Sequence, residues 1–295
     1  MHGPTVGCRI RAVTYWTIVA VIFSSVVASG CGPGAARPEK SAVDVSDMST
    51  RERATFARMV DEMLAPCALD AVTLDVCLEE KRSCKACVPA ANFIAERVKA
   101  GFDKQAIRKS YQLRFGGEPK RIDVADSPTI GAANAAVTIV VWSDFECSHC
   151  KHVVPIVERI AQQHPQDVRL VHKFYPIPRH TMAKVAAKAA FAAQQQGKYW
   201  EMERLLFENQ ANLGEQTILE FAQSLGLNMD QVKADMEGDA AAKAIERDTA
   251  EADRLGLTGT PLIFINGREF DPRLFQVEPD LDAWVTTEIE LAKGK

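Results

Sequence analysis

The sequence predicts an α/β domain interrupted by a helical insertion and preceded by a small all-α unit rich in cysteine. Three observations lead to this expectation. Residues 137–142 form a β-branched apolar run that leads, through a short polar break, into Cys147-Ser148-His149-Cys150 and an amphipathic helix. A second apolar run at 168–175 completes a strand–helix–strand unit, whose strands should be parallel with a right-handed crossover. A third run at 262–265 follows helical periodicity over about 178–256 and ends at Asn266-Gly267, a strong hairpin signal.

The chain has 295 residues, 47% hydrophobic and 25% charged, a composition typical of globular protein. Its net charge of −4 argues against nucleic acid or an anionic membrane surface as partner. Arg9 and Arg11 precede an apolar segment at 12–28 that closes on Ala28-Ser29-Gly30, just before Cys31. Positive charge, a short apolar stretch and a small-residue exit describe an export signal over 1–30. The exit resembles a bacterial lipobox, which implies a lipid on Cys31 and membrane contact through it. Ala28 stands where a lipobox usually carries leucine, and ordinary cleavage or an uncleaved short anchor are the alternatives. All three place the chain on the periplasmic side of a bacterial cell envelope.

Residues 31–48, rich in Pro, Gly and polar residues, read as a flexible tether. Residues 49–117 read as a small helical domain. Ser49 or Thr50 caps a first helix with Phe56, Met59, Val60, Met63 and Leu64 on one face. Pro89 opens a second helix carrying Phe93, Ile94 and Val98, which ends at Gly101. A third starts at Asp103, where Phe102 and Ile107 are placed for a hydrophobic staple, and stops at Gly116-Gly117. Between the first two lie Cys67, Cys77, Cys84 and Cys87, separated by nine, six and two residues. In an exported chain with so small a helical core, two structural disulfides are the leading reading. A second redox pair at Cys84-Lys85-Ala86-Cys87, beside Arg82, and a four-thiolate zinc site stay open. The segment VKAGFDKQAIRKSYQLRFGG resembles the helical hairpin of CcmH-type cytochrome c maturation proteins, though the cysteine spacing departs from theirs.

A linker at 118–135 carries Pro119, Pro128, Gly131 and Asn134, and the second domain spans 136–293. After the turn at 176–179, helical patterns cover 181–196, 199–209, 217–225 and 229–254, the last with a break at Gly238. Phe191, Tyr199, Trp200, Met202, Leu206 and Phe207 recur at helical spacing and read as the core of this insertion. A closing helix over 281–291 buries Leu281, Trp284, Val285 and Ile289. The Cys-x-x-Cys therefore falls where a buried strand meets the first turn of a helix. There unpaired N–H groups and the helix dipole lower a thiol pKa from about 8.5 into roughly 3.5–7.5.

Over about 130–293 the chain resembles the DsbA-type thiol:disulfide oxidoreductases of the thioredoxin superfamily. The motifs that carry this are SDFECSHC after a strand, FAAQQQGKYWEMERLLFENQ in the helical stretch, LGLTGTPLIFINGR near the end, and the closing helix. The resemblance implies a thioredoxin-like fold, with Cys147 as nucleophile and Cys150 as the buried resolving partner. It also implies a cis Thr260-Pro261 peptide facing Cys147, beside which an incoming substrate strand pairs. It calls for no cofactor, and for two kinds of partner: exported proteins with cysteine thiols, unfolded or folding, and a membrane redox partner that resets the disulfide. His149, by charge or hydrogen bonding, is expected to stabilise the Cys147 thiolate and make the pair a better oxidant. Ser148 stands where the family's oxidants usually carry proline.

Of Asp144 and Glu146, one reads as a proton shuttle under Cys150, against the alternative of a solvated or helix-capping carboxylate. His149 and His152 with the two cysteines form a conceivable copper or zinc set, against which redox use of the thiols is preferred. The function expected is exchange of disulfides with exported proteins, as an oxidase. An isomerase, or a reductase linked to cytochrome c maturation, uses the same residues. A non-catalytic peptide-binding or assembly module with a structural Cys147–Cys150 bridge is the alternative of a different class.

Overall fold

The computed structural model describes residues 43–67 and 71–294. The export segment at 1–30, Cys31 and the first part of the tether lie outside them. The rest of the tether is not solvated as composition suggested: Val43, Val45 and Met48 are buried in the main core. Among the described residues no helix is long and apolar enough to cross a membrane.

Helix α1 (Thr50–Glu62) starts in a capping box, in which Ser49 Oγ accepts from Glu52 N–H and the Glu52 carboxylate accepts from Ser49 N–H. It buries Phe56, Met59 and Val60, while Leu64, beyond its end, is exposed. A short α2 (Leu74–Glu79), too brief to show a period in sequence, precedes α3 (Cys87–Lys99) and α4 (Lys104–Phe115). Asp103 caps α4 by accepting from Gln105 and Ala106 N–H.

A five-stranded sheet follows, ordered β1-β3-β2-β4-β5. Its members are β1 (Thr129–Ile130), β2 (Val137–Ser143), β3 (Val168–Phe174), β4 (Leu262–Ile265) and β5 (Arg268–Phe270). β2 and β3 run parallel, with Val137 opposite Val168, and are joined by α5 (Ser148–Gln163). All other pairings are antiparallel. β1 lies inside the expected linker, and Pro128 accepts from His172 N–H at the sheet edge. The two residues of β1 are too few to register as alternation.

The insertion comprises α6 (Ala183–Gln195), α7 (Tyr199–Glu208), α8 (Glu215–Ser224), α9 (Met229–Glu237) and α10 (Asp239–Arg254), with α9 ending and α10 starting at Gly238. The closing α11 (Val277–Ala292) begins before the expected 281, with Pro279 in its first turn, where a missing N–H costs nothing.

The N-terminal helices share one buried core with the sheet domain. Phe93 of α3 lies 6.2 Å from Phe275, and Arg97 reaches Asp280 of α11 at 2.7 Å. Arg114 of α4 donates to Ala283 O and Thr287 Oγ1 of α11.

Candidate active site

β2 ends at Ser143, and the chain turns through Asp144, Phe145 and Glu146 before Cys147 takes the N-cap position of α5. Contacts through Asp144, Glu146 and Gln210 hold this turn. Asp144 Oδ1 accepts from Glu146 N–H, and its Oδ2 accepts from Ile177 N–H, each at 2.6 Å. His180 Nδ1 lies 3.0 Å from the same Oδ2. Glu146 Oε2 accepts from Met182 and Ala183 N–H at 2.6 and 2.7 Å, at the head of α6. Both carboxylates thus brace and cap backbone in the manner of the second reading, and the shuttle reading of Asp144 and Glu146 gains no contact.

Gln210, after α7, donates to the carbonyls of Phe145 at 2.8 Å and Cys147 at 3.0 Å. Sequence reasoning missed Gln210 and His180, because nothing in their spacing marks a contact made from another element. Phe145 is buried between His172 and Phe207, at 5.9 and 5.1 Å.

The peptide between Thr260 and Pro261 is cis. It sits directly across from the pair: the Cys147 thiol donates to Thr260 O at 3.3 Å. Thr260 Oγ1 is buried and has no hydrogen-bond partner among the described residues. Cys147 is the more exposed of the two cysteines but only 7% so, against 0% for Cys150. It is less open than its expected role suggested, because Thr260 covers one side.

The two thiols are driven apart electrostatically. The Cys147 thiolate is favoured first by a hydrogen bond from the Cys150 thiol, then by Thr260 and by backbone N–H groups of Cys150 and His149. Together these outweigh its desolvation and bring its pKa down to about 5. Burial pushes the Cys150 thiol far up, and the neighbouring Cys147 thiolate adds to this. The contribution of residue 149 is its backbone N–H, while its imidazole lies in an exposed residue.

Beside the pair opens a cavity of about 650 Å³, lined by His149, Thr260, Pro261, Glu269, Asp271 and Arg273 among others. Burial raises the Glu269 pKa, and Asp271 beside it adds to the shift. His152 is exposed on α5, and no cluster that could hold a metal includes it, His149 or the two cysteines among the described residues.

The other four cysteines pair as Cys67–Cys84 and Cys77–Cys87. A Cys84–Cys87 redox pair is therefore not the arrangement present. The four-thiolate zinc reading also fails here, since each sulfur is bonded to another sulfur and offers no thiolate.

A family model described as Thioredoxin matches residues 123–279. The Na(+)/H(+) antiporter NhaA 3 of Salinispora tropica is 36% identical over 139 residues, 47% of this chain and 21% of that protein. The chain thus spans about a fifth of that relative's length. Among solved structures, the thiol-disulfide exchange protein α-DsbA2 of Wolbachia pipientis has a TM-score of 0.50 and 20% identity, covering 64% of this chain and 95% of its own. α-DsbA1 of the same organism has a TM-score of 0.51 and 14% identity, covering 59% and 96%. At these identities the two structures speak for the fold alone. With the model spanning more than half of its residues, the chain belongs to the thioredoxin family.

Proposed function

We propose that this chain is a thiol:disulfide oxidoreductase of the bacterial cell envelope that oxidises exported proteins through Cys147 and Cys150. The observation that carries this reading is the opposed titration of the two thiols, one held near 5 and the other pushed up by burial. In the oxidised enzyme a substrate thiolate attacks Cys147 Sγ. A mixed disulfide forms, and Cys150 departs and takes a proton. A second substrate thiolate then attacks the substrate sulfur of that bond and Cys147 leaves as thiolate. The substrate gains a disulfide and the enzyme carries two electrons, which a membrane redox partner removes.

A stable Cys147 thiolate favours the reduced enzyme, and therefore favours donating the disulfide. Thr260 is the residue best placed to act with the pair, because its hydroxyl has no competing partner among the described residues. Pro261 and His149 line the adjoining cavity, where a substrate chain has room to lie. Lipidation at Cys31 would hold the enzyme at the membrane where exported chains emerge.

The reduction potential of the Cys147–Cys150 pair tests direction. An oxidase requires a value toward the DsbA end, about −120 mV, and a value near thioredoxin's, about −270 mV, assigns a reductase instead. Cys150→Ser should trap substrates as mixed disulfides and Cys147→Ser should trap none. Equal trapping by both variants would remove the assignment of nucleophile.

A further inference from the structure

The four N-terminal cysteines form two bonds that lie against each other. The Sγ atoms of Cys77, Cys84 and Cys87 all lie within 4.8 Å of one another, so a sulfur of one bond sits within reach of both sulfurs of the next. The two bonds differ in access. Cys67 and Cys84 are half-buried, whereas Cys77 and Cys87 are 2% and 3% exposed. A cavity of about 170 Å³ reaches the first bond and is lined by Cys67, Cys77, Cys84 and Arg82, but not by Cys87. Cys87 in turn is the first residue of the thirteen-residue α3. A thiolate released there faces the unpaired N–H groups of the first turn and the positive end of the helix dipole, which makes it the better leaving group.

We propose that this cluster is a second thiol–disulfide exchange site, in which the more accessible Cys67–Cys84 bond accepts two electrons from a dithiol and the thiolate freed at Cys84 is exchanged for one at Cys87. A donor thiolate attacks Cys67 Sγ, forming a mixed disulfide and releasing Cys84 as thiolate. The donor's second thiolate closes the donor disulfide, and Cys67 leaves and takes a proton. Cys84 then attacks Cys77 Sγ, which borders the same cavity; a Cys77–Cys84 bond forms and Cys87 departs as thiolate. The donor is oxidised by two electrons and one of the two disulfides is lost, leaving Cys67 and Cys87 reduced. The site is chemically separate from the Cys147–Cys150 pair and does not require it.

Tryptic mapping reads this directly, because cleavage after Arg58, Lys81, Arg82, Lys85 and Arg97 places Cys84 and Cys87 in different peptides, with Cys67 and Cys77 together in a third. The oxidised full-length protein is titrated with dithiothreitol past the equivalent consumed by the Cys147–Cys150 pair, quenched with excess N-ethylmaleimide at mildly acid pH and fragmented. The expected product carries label on Cys67 and Cys87 with a Cys77–Cys84 bond. Label on Cys67 with Cys84, label on Cys77 with Cys87, or no label on the cluster in the folded protein overturns the proposal. A Cys67→Ser variant supplies the second arm, since it leaves Cys84 without its partner before any reductant is added. The majority of the label should then fall on Cys87, and a majority on Cys84 overturns the proposal equally.

Discussion

Cys147 and Cys150 occupy one turn of the same helix, yet protons leave them at very different pH. The first stands at the N-cap, where donors converge on its sulfur; the second is the third residue of α5, fully enclosed. Thr260 adds a buried hydroxyl that has no other partner among the described residues and is one of the groups favouring the Cys147 thiolate. Replacing it by the near-isosteric valine removes one hydrogen bond to a charged group, about 1.5 kcal/mol, so Thr260→Val should raise the Cys147 pKa by about 1 unit. Alkylation rate against pH measures this. An unshifted midpoint would mean that the hydroxyl does not serve the thiolate.

At the scale of elements, the turn that carries Cys147 is fastened to other elements: to Gln210 after α7, to the head of α6 through Glu146, and to Ile177 and His180 after β3. This explains what sequence made legible. A strand running into a helix, with cysteines at the junction and Thr260-Pro261 before another strand, is written in local patterning. Gln210 meets Phe145 across 65 positions, and no local period announces it. The pairing of Cys67 with Cys84 is hidden for a different reason, since four cysteines admit three pairings and spacing does not choose among them. Likewise, nothing near Arg97 signals that it will be buried against Asp280 with its guanidinium 4.9 Å from the Phe93 and Phe102 rings. Because Arg97 is buried, Arg97→Ala removes the guanidinium from Asp280, whose carboxylate still accepts from Gln276 N–H, and from the rings it packs on, and should cost about 3 kcal/mol, read from denaturant unfolding. A loss below about 1 kcal/mol would match an exposed pair and contradict the packing of α3 on α11.

At the scale of the whole molecule, composition drew a boundary at 118–135 that the core does not respect. Val43, Met48, Phe93 and Tyr111 belong to the same buried cluster as Ile139, Leu170 and Trp284. The helical region therefore buries its apolar faces against β5 and α11 as well as on itself. Unfolding should be one cooperative transition, with far-ultraviolet ellipticity, weighted toward the helices, and tryptophan fluorescence, which includes buried Trp142 and Trp284, falling together. Two resolved transitions would restore the N-terminal helices as an independent domain.

Disulfide exchange at the Cys147–Cys150 pair turns on the ionisation of one sulfur, and the rate of iodoacetamide labelling of Cys147 in the reduced protein, followed on its own peptide across pH, measures it most directly. The predicted profile rises with a midpoint of about 5. A midpoint at the ordinary thiol value, about 8.5, would contradict it.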